Sequence, residues 1–492
     1  MRGRRALRNP RLAANISWNI TSGVASIFGL LLLYPLSVNA AGPENYGLWV
    51  LAFGTIQLFT MADFGLGTGI VRTLAGLEPD LGNLSRRRFV TIATCVFLAL
   101  AIVLTLLFIV LFGQYLKSVS IPPHLVELIP VILLIAASSL FISIMGRCAN
   151  SVLWAEDRPD IERKASLLGL GIRAVGIITV QFSGGGLLGV IIVESVSIAV
   201  PSAICGVVVA MKYGRPIFDR SAFKLHTTPL LRTSGALFVG SFTAVAATQL
   251  PLYIVGSNLG LTAATAFGAL LRVFQSARLT ISWLTNPFTH KLASTTVSNL
   301  QLRTAVTRCF QLTGVTSILI TIPLVLLPSQ ILEVWLGKEF LFASSSLALI
   351  AMAVVSNAII LPSALITNLR SNPWPTSILG VILLGLTAIG VFLGVQANSI
   401  FWATVGMAVP LAVMAPIYLA LAHRVMALRL HRRTLVDAGL FIISFFVLGI
   451  STYLVAGAVS SIQALLYYAV LAGVFSASLL LVLRKKSRTA AA

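Results

Sequence analysis

Apolar runs follow one another along almost the whole chain, each divided from the next by a short polar stretch. A helix needs roughly 20 mostly apolar residues to cross a bilayer. The runs of that order are 17–40, 46–71, 89–113, 125–148, 165–183, 187–211, 233–256, 262–284, 306–328, 344–368, 376–395, 399–422, 435–456 and 463–483. Each is continuous, unlike the roughly ten-residue alternating segments of a transmembrane β-barrel. The pattern predicts an all-α polytopic membrane protein of about 14 transmembrane helices.

The polar stretches set the orientation. Thirty of the 35 Lys and Arg residues fall in alternate stretches, from Arg2, Arg4, Arg5, Arg8 and Arg11 to Arg484, Lys485, Lys486 and Arg488. The stretches between them hold only Lys117 and Lys338. Cytoplasmic loops carry the basic excess, so both termini are expected in the cytoplasm. The first run follows a basic start and lacks an Ala-x-Ala site, so it is expected to remain as a signal anchor. The longest outside connections, 114–124 and 329–343, are predicted loops, and no soluble domain is expected on either face. The inside stretch 212–232 holds Gly214, Pro216 and Pro229 and reads as a hinge. It divides the chain into 1–211, the hinge, 233–422, and 423–492 with two extra helices and a basic tail.

Composition narrows the class further. Hydrophobic residues make up 57% and charged residues 10%, against about 25% charged in a soluble domain. That excludes an ordinary soluble protein and a disordered chain, which needs low hydrophobicity and high charge. The net charge of +21 suggests nucleic acid, but the cations come in short clusters between apolar runs. No nucleic-acid partner is expected. Cys95, Cys148, Cys205 and Cys309 fall inside runs or near their inner ends, so no disulfide or zinc site is expected.

No catalytic constellation stands out. His124, His226, His290, His423 and His431 are scattered, and none pairs with a ligand at metal spacing. Asp63–Phe64–Gly65 spells a kinase metal motif without the rest of a kinase. Gly65, Gly67 and Gly69 lie at the inner end of a run, not after a strand, and fit close helix approach or local unwinding. Neither enzyme activity, cofactor nor metal is expected.

Charges inside the runs are the informative residues. An uncompensated charge at the bilayer centre costs about 3 kcal/mol, so it faces a wet cavity or a partner. Arg272 lies roughly 15 Å into its run and Arg173 roughly 12 Å into its own, at about 1.5 Å per residue. Asp63 and Glu194 are the carboxylates well inside runs, and each is a candidate counter-ion or coupling group. Arg72 and Arg278 lie near inner helix ends, where they either snorkel to the interface or form a cationic rim. Asn15, Ser17, Asn19, Thr21, Ser22 and Ser26 give the first run a polar start, and Pro35, Pro201, Pro251, Pro323, Pro362, Pro410 and Pro416 interrupt later ones. Both features suit a transport cavity between repeated halves. A faint repeat agrees: the turn Asn39–Gly42 compares with Ser257–Gly260, and Arg72–Ala75 with Lys291–Ala293 about thirty residues after each.

Between Asn15 and Arg72 the chain shows a polar-then-apolar run, Pro35, Gly42–Pro43–Glu44–Asn45–Tyr46–Gly47–Leu48–Trp49, Asp63–Phe64–Gly65–Leu66–Gly67 and a closing Arg72. After the ninth run stands Val334–Trp335–Leu336–Gly337–Lys338–Glu339–Phe340. In these features it resembles the bacterial oligosaccharide or polysaccharide flippases, within the superfamily that also holds multidrug exporters and the lipid II flippase. The resemblance implies two six-helix lobes around a central cavity, plus two further helices, working by alternating access. It implies a polyprenyl-diphosphate-linked oligosaccharide moved from the inner to the outer leaflet of the cytoplasmic membrane, for O-antigen, capsule or exopolysaccharide synthesis. Implied partners besides the substrate and membrane lipid are a polysaccharide polymerase and a chain-length regulator. Arg72 and, more loosely, Arg272 are the positions the resemblance carries over for the diphosphate, whereas Arg173 rests on position alone. An arginine fork suits phosphate oxygens.

Two other readings stand beside this one. A drug or metabolite antiporter of the exporter branch would favour an acid-lined cavity for cations. A membrane glycosyl polymerase or ligase would need catalytic groups in a sizeable outer loop, and the outer stretches hold only His124, Lys117 and Lys338.

Overall fold

The computed structural model describes residues 10–60, 65–76, 84–214, 217, 235–285, 288–289, 292 and 299–426. All regular structure among them is helical. In chain order the helices are α1 (Pro10–Ala41), α2 (Pro43–Thr60), α3 (Leu66–Gly76), α4 (Leu84–Leu116), α5 (Pro123–Val126), α6 (Ile129–Ala155), α7 (Pro159–Ser183) and α8 (Gly186–Tyr213). They continue with α9 (Gly235–Leu259), α10 (Leu261–Thr285), α11 (Asn299–Leu326), α12 (Pro328–Trp335), a 3₁₀ helix (Lys338–Ala343), α13 (Ser344–Arg370), α14 (Trp374–Val395) and α15 (Ile400–Met426).

Among the described residues nine helices are long and apolar enough to cross a membrane. The chain is a multi-pass membrane protein. Helices stand where the first twelve apolar runs lie, while the runs 435–456 and 463–483 fall outside the described residues.

Three local features depart from the sequence pattern. The run 46–71 is divided into α2 and α3, and Gly65 at the start of the second piece has φ +72°, a backbone state that favours glycine. The run expected to start at 125 starts as a helix at Ile129, with Pro130 in its first turn where no N–H is needed, and it continues to Ala155. The stretch 329–343, expected as a loop, folds as α12 and the 3₁₀ helix.

The two turns of the sequence repeat share a geometry. A single residue, Gly42, joins α1 to α2, and a single residue, Gly260, joins α9 to α10. Their φ values are +85° and +86°. Only glycine takes that conformation without strain, so each tight hairpin depends on it.

The chain clusters into two compact units. The first takes the chain up to Arg272 together with Pro373–Ala388. Its core is aromatic: Tyr34, Tyr46, Trp49, Phe89, Phe97, Phe108 and Phe112 are all buried. Its outside is apolar too, since Leu98, Val103, Leu106, Val110 and Leu111 of α4 are exposed. A contiguous exposed apolar face of this kind suits lipid rather than water.

The second unit takes Val273–Asn372 and the described chain from Ile389 on. There α13 is the best enclosed helix, packed against α11 and α15. Leu292, Leu302, Ile366 and Ala422 form one of its buried clusters. The backbones of α14 and α15 touch at Gly390 and Gly406, where any side chain would collide with the opposite main chain. Small residues give membrane helices such close approach.

Candidate functional site

The tight turn at Gly42 lays the end of α1 beside the start of α2. On α1, Tyr34 and Ser37 are one helical turn apart and buried. On α2, Tyr46, Trp49 and Phe53 recur at spacings that share a face. The Tyr34 and Tyr46 rings meet edge to face with centroids 5.3 Å apart, and Trp49 lies 6.2 Å from Phe53. The Tyr34 hydroxyl donates to the Thr265 carbonyl of α10 at 2.7 Å. The Thr265 hydroxyl in turn donates to the Pro43 carbonyl at 2.6 Å. These bonds fix α10 against the α1–α2 hairpin, so the aromatic wall has α7 and α8 on one side and α10 on the other.

On the α7–α8 side stands Glu194, 1% exposed. Its Oε1 accepts from Arg173 Nη2 at 2.6 Å and from the Tyr46 hydroxyl at 3.2 Å. Its Oε2 accepts from the Trp49 indole N–H at 2.7 Å. The Ser37 hydroxyl lies 3.3 Å from Oε1 but has a nearer acceptor in the Leu33 carbonyl at 2.9 Å. A hydroxyl carries one proton, so Ser37 gives Glu194 little. Each oxygen still has a strong donor, and the arginine cancels the charge. The ion pair joins two helices that run in opposite directions, and it is the counter-ion arrangement that the sequence left open for both residues.

On the other side, Arg272 of α10 is only 7% exposed. Its guanidinium lies over the Phe53 ring at 4.9 Å and the Tyr34 ring at 5.9 Å from the centroids. Among the described residues it makes no hydrogen bond and no ion pair. Ring faces attract a cation, but they leave the N–H donors of the guanidinium unused. The arrangement therefore presents a buried, positively charged donor fork.

The remaining sequence candidates lie apart. Arg278 lies further along α10 and is half-buried. Arg72 is on α3, with its side chain outside the described residues, as is the whole of Asp63. Among the described residues no group of His, Cys, Asp or Glu is placed to hold a metal ion. Sequence reasoning missed the roles of Tyr34, Tyr46, Trp49 and Phe53. The spacing of the three aromatics on α2 was the signal available for them.

No family model matches the sequence, and no curated protein matches it. Solved structures do. The chain is similar to the lipid II flippase MurJ in an inward closed conformation, with a TM-score of 0.65 at 11% identity, over 94% of this chain and 100% of that one. It is similar to an inward-facing multidrug resistance MATE family transporter of the MOP superfamily, with a TM-score of 0.63 at 14% identity, over 82% of this chain and 94% of that one. A MATE protein in complex with MaL6 gives a TM-score of 0.61 at 16% identity, over 87% and 99%. The chain has the fold of the MATE transporters and the flippase MurJ.

Proposed function

We propose that the protein is a flippase. It moves a polyprenyl-diphosphate-linked oligosaccharide from the inner to the outer leaflet of the cytoplasmic membrane by alternating access, and so serves surface polysaccharide synthesis. The observation that carries this reading is Arg272: a buried guanidinium held on two aromatic rings, with no ion pair among the described residues. A diphosphate supplies the charge and the paired acceptors such a fork lacks. The flippase MurJ among the similar structures supports a lipid-linked substrate. In this reading Arg173 and Glu194 position the aromatic wall, and Arg272 binds the diphosphate. Polymerase and chain-length regulator proteins would act on the product outside.

The test is transport in proteoliposomes and the lipid extract of cells. Arg272→Ala is expected to abolish flipping while expression persists, with a polyprenyl-diphosphate oligosaccharide accumulating. Arg272→Lys restores it in part, because a lysine keeps the charge and loses the fork. Full activity of the alanine variant removes Arg272 from the mechanism. A second reading, a cation-coupled drug or metabolite exporter, is favoured by the likeness to MATE transporters. It predicts raised drug sensitivity, with no accumulating lipid, in cells lacking the protein.

A further inference from the structure

Within the first unit α2 and α9 share a polar contact that the site above does not use. The Gln249 side-chain N–H donates to the Gln57 side-chain oxygen at 2.6 Å. Gln249 is buried and Gln57 is half-buried. One bond leaves most of this pair idle, because a primary amide carries two N–H donors and an oxygen with two lone pairs. Among the described residues the Gln57 N–H donors and the Gln249 side-chain oxygen make no other hydrogen bond. Turning both amides about reverses the bond and again leaves the donors of one and the oxygen of the other. The neighbouring contact differs. The Tyr253 hydroxyl, one turn after Gln249, donates to the Thr55 hydroxyl at 2.9 Å, and Thr55 donates on to the Leu51 carbonyl at 3.0 Å. Both hydroxyl protons are used there. Gly54 makes room for the two contacts, since a Cβ on it would stand 3.2 Å from the Gln249 oxygen and from the Tyr253 hydroxyl.

Helix geometry puts the amide pair next to Arg272. Gln57 follows Phe53 by four residues, so it shares that face of α2 about 6 Å further along. Phe53 is the ring that lies 4.9 Å from the Arg272 guanidinium. On the other side, Gln249 precedes the Gly260 turn by eleven residues and Arg272 follows it by twelve. The antiparallel course of α9 and α10 therefore brings these two to one level. Arg272 meets α2 at Phe53 and Gln249 meets it at Gln57, one turn apart.

We infer that the Gln57–Gln249 pair binds the sugar joined directly to the diphosphate. That sugar is the part of the substrate nearest the phosphates, so it meets the next turn of α2. The idle donors and the idle oxygen match sugar hydroxyls, which both donate and accept. A diphosphate oxygen only accepts and a polyprenyl chain does neither, so no other part of the substrate satisfies both halves of the pair. A lipid without the sugar leaves the amides unpaired, which is how a polar site discriminates. The assignment rests on the flippase reading and adds to it a specificity-determining pair.

The test is equilibrium binding to the purified full-length protein in detergent, with two probes. One is bare polyprenyl diphosphate, and the other is the polyprenyl-diphosphate oligosaccharide extracted from cells lacking the protein. The wild type is expected to bind the second about tenfold more tightly, the contribution of two hydrogen bonds. Gln57→Leu and Gln249→Leu, made separately, are each expected to remove most of that advantage while binding of the bare lipid shifts by less than about twofold. Arg272→Ala weakens both lipids alike. Equal wild-type affinity for the two lipids overturns the assignment and leaves the flippase reading standing. So does a loss in both glutamine variants that falls equally on the two lipids, which would make the pair a packing contact. If no such lipid accumulates, or neither lipid binds the wild type, the flippase reading fails and this assignment fails with it.

Discussion

Two arginines stand beside one aromatic cluster, Arg272 buried and Arg173 half-buried, and they are treated differently. Arg173 is matched by Glu194, whose oxygens also take donors from Trp49 and Tyr46. Arg272 lies over ring faces and makes no ion pair, although the Glu194 carboxylate is near enough to feel its charge. A cation that serves the fold is neutralised from within the chain, because an unpaired buried charge is costly. In the proposed reading, a cation without such an ion pair keeps its charge for a ligand outside the chain. The contrast separates a strut from the proposed binding group more sharply than position in the helix does, since both lie deep in their helices.

The largest expected effect is on the strut. Glu194→Gln leaves Arg173 buried without a counter-charge and should cost about 3–5 kcal/mol of stability. Thermal unfolding of the purified protein checks this. The double variant Arg173→Met, Glu194→Leu removes both charges and is expected to recover most of the loss. If the double variant is as unstable as the single, the pair does more than neutralise itself.

The binding side should respond in the opposite way. Arg272→Ala forfeits ring contacts worth up to about 2 kcal/mol and removes a buried charge that costs about 3 kcal/mol. Stability should change by no more than about 1 kcal/mol, while flipping falls by at least about a hundredfold through the loss of charge-assisted bonds. Parallel measurement of melting and transport decides it. A large loss of stability would make Arg272 a second strut and erase the contrast.

Much of this was legible in the sequence, and the limits are physical. Charges within apolar runs are costly, so Arg173, Glu194 and Arg272 stood out at once. The pairing of the first two was within reach. Arg173 and Glu194 stand about ten residues either side of the turn between α7 and α8, so an antiparallel hairpin brings them level. The partners of Arg272 were not within reach. Tyr34 and Phe53 lie more than two hundred residues away, and aromatic residues in apolar runs carry no cost that marks them. The short helix α12 was missed because a length criterion set by the bilayer does not register eight residues. Asp63, singled out equally early, lies outside the described residues.

A smaller effect tests the second donor of the strut. Trp49→Phe keeps the ring and loses the N–H that reaches Glu194 Oε2 at 2.7 Å. A bond from a neutral donor to a buried charge is worth roughly 1.5–3 kcal/mol, so a loss near 2 kcal/mol is expected in the same melting assay. Combined with Glu194→Gln, the two losses should fall short of their sum, since the bond can be removed only once.

The smallest effect comes from a carboxylate that resembles Glu194 in its company and differs in its surroundings. Glu156 follows the last residue of α6 and accepts from Lys212 and Tyr213 at the end of α8, and from Arg86 of α4 at 3.3 Å. Burial pushes its carboxyl pKa up, but the bonds from Lys212 and Tyr213 and the charges of Lys212 and Arg86 outweigh that and hold it below the ordinary value. Its ionised form is thus favoured by folding. The stability it contributes is complete above the ordinary carboxylate pKa of about 4.3 and is lost as pH falls through the lower folded value. Lys212 is 45% exposed, so water and salt screen the pair and the contribution is at most about 1 kcal/mol. Melting measured from pH 7 down to pH 3 should show a decline that Glu156→Gln flattens, and added salt should shrink it. An unchanged slope in that variant would assign the acid sensitivity to other carboxylates and leave the α4–α6–α8 ends held by packing alone.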